Sequence, residues 1–348
     1  MNINMSTKVK MGPNVVQDHI NKNKRNKLLL IIDKNVANSE IASEIMSIAS
    51  NSIIDYVENE PRVEEVNDII NKLDKVDLIY GIGGGSTMDL AKAVSVTITN
   101  GKQAEKLRGW GKVVNEGVPV IAVPTIPGTA AEFSATAVLK GNGYKLGINS
   151  PKVKPIEAVI DPIFFTTLTA DIGIPVLLDS YIHSFESLEG IKGSRTSKIS
   201  CKNVIDIFTE IFSDGYKNKD PCWNELSYYA NYVSSFSLLE GSVGAVHALS
   251  YAISDSLGTC HSKANLAALE QLEDFFYKYV EKATSYCNKY NVEFRLKATE
   301  NFDYNECITV MERARDRLDF LWINTIGEKY KPEMADRYIN KVIESMTK

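Results

Sequence analysis

The stretch VDLIYGIGGGSTMDLAKAV, residues 76–94, joins an apolar run to a helical pattern through three consecutive glycines. Continuous apolar runs that stop at turn residues are typical of parallel strands, because both faces of such a strand are buried. The residues that follow from about Ser86 have the character of a helix. This stretch therefore predicts a strand, a tight glycine turn and a helix in succession.

The rest of the first half repeats this alternation. Apolar runs at residues 28–33, 119–125 and 158–161 predict further buried strands. Segments 39–50 and 62–76 have helical periodicity. Strands that alternate with helices indicate a parallel sheet covered by helices.

Beyond about Leu168 the pattern is helical almost to the end, with breaks at residues 190–194, 213–223 and 288–294. The fold class predicted is an α/β N-terminal domain with a parallel sheet, followed by an all-α C-terminal domain. We expect residues 1–165 to form the first domain and residues 166–348 the second.

Composition restricts the partners of the chain. Its 348 residues carry a formal charge of −5, which argues against binding a nucleic-acid backbone and favours a small-molecule substrate. Five cysteines without a C-x-x-C spacing disfavour a disulfide framework and predict a reduced, cytoplasmic protein. No apolar run reaches the roughly 18 residues of a membrane span, so no membrane partner is expected.

The glycine turn is a candidate anion site. Gly83, Gly84 and Gly85 allow backbone N–H groups to approach a ligand closely, and the helix that starts near Ser86 adds partial positive charge. Asp89 lies in the first turn of that helix. The pattern suits the pyrophosphate of a dinucleotide, although its spacing is not G-x-G-x-x-G and a tight turn that binds nothing remains open.

Two further strand ends carry polar residues that fit the same ligand. Asp33 ends the run 28–33 and could bind an adenosine ribose, which favours NAD over NADP, or it could simply cap the next helix. Thr125 and Thr129 follow the run 119–125. Because ligands of parallel sheets gather at the carboxyl ends of the strands, we expect these loops to open on one edge.

The helical half carries a candidate metal site. Asp179 and His183 are four residues apart, so they share a helix face, and His247 and His261 are two of the three other histidines in the chain. A carboxylate with three imidazoles suits Fe²⁺ or Zn²⁺ better than Mg²⁺ or Ca²⁺. Glu186, three residues after His183, could orient the imidazole of that histidine or be an ordinary helix carboxylate. Taken singly, each histidine could instead be a hydrogen-bonded core residue.

Four motifs in this order resemble the iron-containing, group III alcohol dehydrogenases: GGGSTMDLAKA, PTIPGTAAE, DSYIHSFE, and His247 followed by His261. That fold is shared with dehydroquinate synthase. The resemblance implies metal ligation by Asp179, His183, His247 and His261, and binding of NAD or NADP. It places the pyrophosphate at Gly83–Ser86, and implies cofactor contacts for Thr125, Thr129 and Lys145.

Some residues depart from the family pattern. Tyr251 stands where many relatives have a second histidine after the His247 position, and Cys260 and Ser262 flank His261 in place of proline and glycine. We predict that His247 and Tyr251 serve catalysis, with the tyrosine hydroxyl bonding the substrate or relaying its proton. The alternative, an interfacial aromatic side chain, is somewhat favoured for Tyr251 on general grounds.

Further stretches, including KLGINS, HALSY and LWINTIGEKY, resemble the subgroup of 3-deoxy-manno-octulosonate 8-oxidases. This resemblance implies oxidation of the terminal primary alcohol of a sugar acid, with hydride passed to NAD(P), and the family suggests a homodimer. A cyclase like dehydroquinate synthase, a reductase of small aldehydes, an oxygen-linked oxidase and a non-catalytic binding protein remain alternatives.

Overall fold

The computed structural model describes residues 7–49, 53–57, 61–101, 103–293 and 303–347. The chain divides into two compact units, residues 1–167 and 168–348. Among the described residues, no helix combines the length and the apolar character needed to cross a bilayer.

The first unit contains nine strands and five α-helices among the described residues. The strands are β1 (Lys8–Met11), β2 (Leu28–Asp33), β3 (Ile53–Val57), β4 (Leu78–Gly83), β5 (Gly109–Trp110), β6 (Val120–Pro124), β7 (Thr136–Gly141), β8 (Tyr144–Asn149) and β9 (Glu157–Ile160). The helices are α1 (Val15–Asn23), α2 (Lys34–Ala37), α3 (Glu40–Ile48), α4 (Val63–Asn71) and α5 (Gly85–Asn100).

Six strands form one parallel sheet in the order β1-β9-β6-β4-β2-β3. Strands β2, β4, β6 and β9 correspond to the four predicted apolar runs, and α3 and α4 to the two periodic segments. The predicted α/β character of this half, with its parallel sheet, is therefore confirmed. The edge strands β1 and β3 were not predicted.

A second sheet in the order β5-β8-β7 was also not predicted. Its β7–β8 hairpin is antiparallel and turns at Asn142 and Gly143, which both have positive φ. This is the backbone that an Asn-Gly pair favours in a two-residue hairpin turn. Lys145 lies on β8, opposite Lys140.

The second unit is entirely helical among the described residues, as predicted. Its helices are α6 (Ala170–Glu189), α7 (Arg195–Asp214), α8 (Pro221–Gly241), α9 (Ala245–Leu257), α10 (His261–Gln271), α11 (Glu273–Lys289), α12 (Tyr304–Arg317), α13 (Asp319–Ile326) and α14 (Pro332–Thr347). Every residue of α6 from Gly173 to Ser187 is buried, so this helix runs through the core of the unit.

A buried ion pair fastens the segment after β6 to α5. The Lys92 ammonium lies 2.7 Å from Asp89 Oδ1 and donates hydrogen bonds to the carbonyl oxygens of Ala131 and Thr136. The other Asp89 oxygen accepts the Val138 N–H at 3.0 Å. Burial raises the pKa of Asp89, while Lys92 acts to lower it.

Lys92→Met should lower the free energy of unfolding by about 3–5 kcal/mol, because it leaves the Asp89 charge buried without its partner. Urea denaturation followed by circular dichroism measures this loss. Lys112→Met is the matched control, since Lys112 is exposed. A loss below about 1 kcal/mol for Lys92→Met would show that the pair contributes little.

Candidate metal centre and glycine-rich loop

Helix α6 presents three buried ionisable side chains on one face. Asp179, His183 and Glu186 are four and three residues apart, which places them in one row along the helix. All three are at most 4 % exposed. Charged or polar groups at this depth need partners, and other helices provide several of them.

His247 of α9 completes a compact cluster with Asp179 and His183. Asp179 Oδ1 lies 3.4 Å from His183 Nε2 and 3.4 Å from His247 Nε2, and one ligand atom from each residue lies within 4.8 Å of the others. The two imidazole rings stack with centroids 4.7 Å apart. Bonds of about 2.0–2.2 Å to a tetrahedral metal require ligand atoms at roughly this separation.

Glu186 orients the imidazole of His247 on α9, and not that of His183 as expected from the sequence. Its Oε2 accepts a hydrogen bond from His247 Nδ1 at 2.6 Å, and its Oε1 accepts the Val246 N–H at 2.7 Å. The bond to Nδ1 directs His247 Nε2 towards Asp179. One carboxylate therefore both satisfies an N–H group at the start of α9 and fixes which ring nitrogen faces the cluster.

The protonation of the cluster follows from burial and neighbouring charge. Burial lowers the pKa of His183 to about 4 despite the attraction of Asp179, so this imidazole is neutral. Burial also acts to lower the pKa of His247, but Glu186 and Asp179 outweigh it and raise the value to about 9. Burial would raise the pKa of Asp179; His183, His261 and His247 reverse that effect and hold it well below its usual range.

His261 lies beside the cluster of three. It is the first residue of α10, is partly exposed, and has its ring centroid 5.4 Å from that of His247. The Tyr251 ring stacks on the His261 ring at 5.3 Å. The structure thus gathers all four predicted ligands and Tyr251 in one region, and three of the four meet the ligand spacing; their roles stay predictions.

The donor set fits a divalent transition metal. Asp179 Oδ2 and His183 Nδ1 are buried and have no hydrogen-bond partner among the described residues. A carboxylate oxygen with imidazole nitrogens suits Fe²⁺ or Zn²⁺. Asp179, His183 and His247 would hold the ion, with His261 as the adjacent fourth donor.

In the α/β unit, the predicted loops meet around the three glycines. The Thr125 N–H donates to the Gly83 carbonyl at 3.0 Å. A Cβ atom at Gly83 would lie 2.8 Å from the Asp33 Cβ, and one at Gly85 would lie 3.2 Å from Thr129 Oγ1. The ends of β2, β4 and β6 therefore lie together, as the sequence predicts for a parallel sheet.

Two hydroxyl groups next to this loop fit an anionic ligand. Thr87 Oγ1 and Thr125 Oγ1 are buried and have no hydrogen-bond partner in the described part of the chain. The loop itself is partly exposed from Gly84 to Ser86, and α5 begins at Gly85. Free donors below an accessible helix N-terminus suit a phosphate group.

The remaining predicted cofactor residues have other contacts. Asp33 Oδ1 accepts the Asn35 N–H at 2.9 Å and thereby caps α2, which leaves its second oxygen for a ribose. The Asp89 carboxylate is held by Lys92 and the Val138 N–H. Lys145 is partly exposed on β8. Their roles towards a cofactor stay predictions.

Glu186→Gln should weaken metal binding by about 10–100-fold, because the amide replaces the charged acceptor that orients His247. Competition with a chromophoric chelator measures the affinity for Zn²⁺ or Co²⁺. Glu189→Gln is the matched control; it changes the same side chain at the end of α6, where Glu189 bonds Tyr279 and Lys278. Equal affinities for both variants would contradict the role given to Glu186.

Gly83→Ala should lower the free energy of unfolding by about 1–3 kcal/mol, since its methyl group would lie 2.7 Å from Thr87 Cβ and 2.8 Å from Asp33 Cβ. Gly84→Ala is the control, because its nearest contact, Ile126 Cδ1, is at 3.5 Å. Thermal denaturation compares the two. A Gly83 variant as stable as the Gly84 variant would show that no close approach is required there.

Known proteins resemble parts of this chain in sequence. Residues 6–162 match the family described as iron-containing alcohol dehydrogenase. The chain is 26 % identical over 195 residues to the NAD-dependent methanol dehydrogenase of Bacillus methanolicus, a match that covers 55 % of this chain. It spans about half of that enzyme, 51 % of its length.

Solved structures share the fold along the whole chain. The iron-containing alcohol dehydrogenase of Thermotoga maritima superposes with a TM-score of 0.79 at 20 % identity, covering 100 % of this chain and 99 % of that one. Sulfoacetaldehyde reductase of Bifidobacterium kashiwanohense in complex with NAD⁺ gives a TM-score of 0.81 at 16 % identity, with 98 % of each chain covered. These matches show the sequence pattern of the iron-containing alcohol dehydrogenases in residues 6–162 and their fold along this chain.

Proposed function

We propose that this chain is a metal- and NAD-dependent oxidoreductase that interconverts an alcohol and an aldehyde. The observation that carries the proposal is the convergence of Asp179, His183 and His247, whose ligand atoms lie within 4.8 Å of one another in a buried setting. The match of residues 6–162 to the iron-containing alcohol dehydrogenase family and the similarity to an NAD-dependent methanol dehydrogenase support the same function.

In the proposed reaction the metal site, Glu186 and Tyr251 have separate roles. A divalent ion bound at this site supplies Lewis acidity to the oxygen of the reacting alcohol or carbonyl group. Glu186 keeps His247 Nε2 directed at the site. We assign Tyr251, whose ring stacks on His261, the task of bonding the substrate oxygen or relaying its proton.

The glycine loop is the proposed cofactor site. Gly83–Ser86 would hold the pyrophosphate, and the unpartnered hydroxyls of Thr87 and Thr125 are available to hydrogen-bond it. Asp33 lies against Gly83, where its carboxylate would accept ribose hydroxyls and repel a 2′-phosphate. We therefore propose NAD in preference to NADP.

For the substrate we propose the primary alcohol of a sugar acid, of the 3-deoxy-manno-octulosonate kind. The support is the subgroup resemblance of KLGINS, HALSY and LWINTIGEKY. A carboxylate substrate calls for a cationic contact. Lys263, which is partly buried two residues after His261, is the proposed contact, whereas Arg195 is exposed. We also propose that the protein forms a homodimer and is located in the cytoplasm.

Reduction of a small aldehyde is the second candidate. The structural neighbour named sulfoacetaldehyde reductase favours it, since that name describes an aldehyde that also carries an anionic group. Both candidates use one site and differ in substrate and in the direction of hydride transfer. A cyclase resembling dehydroquinate synthase is less favoured, because those relatives ligate their metal with glutamate and two histidines.

The test is a turnover screen of the purified protein loaded with Fe²⁺ or Zn²⁺. Sugar acids with a terminal CH₂OH, matched neutral sugars and simple alcohols are offered with NAD or NADP, and aldehydes with NADH. We expect NADH formation to be fastest with the sugar acids. Asp179→Asn should abolish both bound metal and turnover, while Asp171→Asn, an exposed residue of the same helix, should change neither.

Several outcomes would overturn parts of this proposal. Full turnover by metal-free protein would eliminate the metal-dependent chemistry. Equal rates with neutral sugars would remove the sugar-acid assignment, and activity confined to aldehyde reduction would favour the second candidate. Phosphate release with unchanged NAD would indicate the cyclase, and product formation without NADH would indicate oxygen as the acceptor.

A further inference from the structure

Asn265 lies in the middle of the proposed ligand set and was not singled out from the sequence. It is the fifth residue of α10, one turn after His261, and is fully buried. Residues four apart share a helix face, so its side chain points the same way as the His261 imidazole. No role has been given to it so far.

The side-chain amide of Asn265 contacts three of the four predicted ligands. Asn265 Nδ2 lies 2.7 Å from Asp179 Oδ1, 3.2 Å from His261 Nε2 and 3.5 Å from His247 Nε2. The residue is therefore a bridge between His261, which stands outside the cluster of three, and the carboxylate at the centre of that cluster.

The two N–H groups of the Asn265 amide explain how it can contact both Asp179 and His261. An amide nitrogen has two N–H groups, and the two nearest acceptors are the carboxylate oxygen and His261 Nε2. The opposite orientation would bring the amide oxygen against a carboxylate oxygen, where neither atom can donate. Asp179 thereby selects the orientation of the amide, although Asn265 Oδ1 is left buried without a partner among the described residues.

The second N–H of the amide determines which ring nitrogen of a neutral His261 carries the proton. An imidazole nitrogen that accepts a hydrogen bond carries a lone pair and no proton, so in the neutral ring the proton is on Nδ1. His261 Nε2 is then in the form that can ligate a metal. The Asn265 amide nitrogen acts here as a hydrogen-bond donor to the predicted ligands and is not itself one of them.

We propose that Asn265 is a positioning residue of the metal centre: its amide fixes the Asp179 carboxylate and holds His261 Nε2 in the lone-pair form before the ion binds. The inference rests on the proposed metal site. With an ion held by His261 Nε2, the amide would still be able to donate to Asp179 Oδ1. Loss of the amide should release His261 and leave the carboxylate free to turn.

Two variants separate hydrogen bonding from packing. Asn265→Ala removes the amide and leaves a cavity, whereas Asn265→Leu fills most of the volume and cannot donate. Asn231→Ala is the matched control, because Asn231 is a fully buried asparagine of α8 that accepts a hydrogen bond from Ser180. All are made in the full chain and compared with the wild-type protein.

The first measurement uses metal-free protein and needs no turnover. Long-range ¹H–¹⁵N spectra report which ring nitrogen of each neutral histidine is protonated, and four histidines can be assigned by single substitutions. We expect His261 to carry its proton on Nδ1 in the wild type and in Asn231→Ala. In both Asn265 variants, we expect a mixture with the Nε2-protonated form.

The second measurement is the affinity for Co²⁺, followed by its visible absorption. Both Asn265 variants should bind about 10–100-fold more weakly than the wild type, and Asn231→Ala should bind within about twofold of it. Wild-type affinity in Asn265→Leu with weak binding in Asn265→Ala would assign Asn265 to packing and overturn the inference. So would an unchanged His261 spectrum in both variants.

The two proposals fail separately. If the wild-type protein bound no divalent ion while the His261 spectrum still depended on Asn265, the proposed function would fall and the amide would be a structural contact only. If the wild type bound metal and turned over substrate while neither Asn265 variant changed metal affinity, only the positioning role would be lost.

Discussion

Two buried carboxylates, Asp179 and Glu186, set the constraint on which the helical unit depends. Both lie on α6 and both are at most 2 % exposed. An isolated charge at such depth costs several kcal/mol, so each carboxylate requires donors from the helices packed against α6. Helix α9 provides His247 and the Val246 N–H, and α10 provides Asn265. The arrangement that could hold a metal is therefore also what makes the buried charges of α6 tolerable.

Much of the fold was predictable because central strands bury both faces. The runs that became β2, β4, β6 and β9 are continuously apolar, which is what a doubly covered parallel strand requires. Strand β1 has no such run: all four of its residues are exposed at the edge of the sheet. The β7–β8 hairpin carried an available signal in Asn142-Gly143, which the reading of the sequence did not use.

In the candidate site, spacing along one helix was readable and contacts between helices were not. Asp179 and His183 share a face of α6 because they are four residues apart. The same spacing places His261 and Asn265 on one face of α10. An asparagine in a helix is usually exposed to solvent, however, and the burial of Asn265 follows only from how the helices pack. The partner of Glu186 likewise depended on where α9 begins against α6. The complete burial of Lys92 could not be predicted for the same reason, because lysine side chains are usually exposed.

Glu186 fixes the position of α9 along α6. One of its oxygens holds the Val246 N–H and the other holds the ring of the very next residue, so backbone and side chain of α9 are fastened at one point. A slip of α9 by a single residue would move it by about 1.5 Å and turn its side chains by about 100°. His247 would then point away from Asp179. A small shift of α9 along its axis would therefore bring His247 into the cluster with Asp179 and His183 or remove it from that cluster.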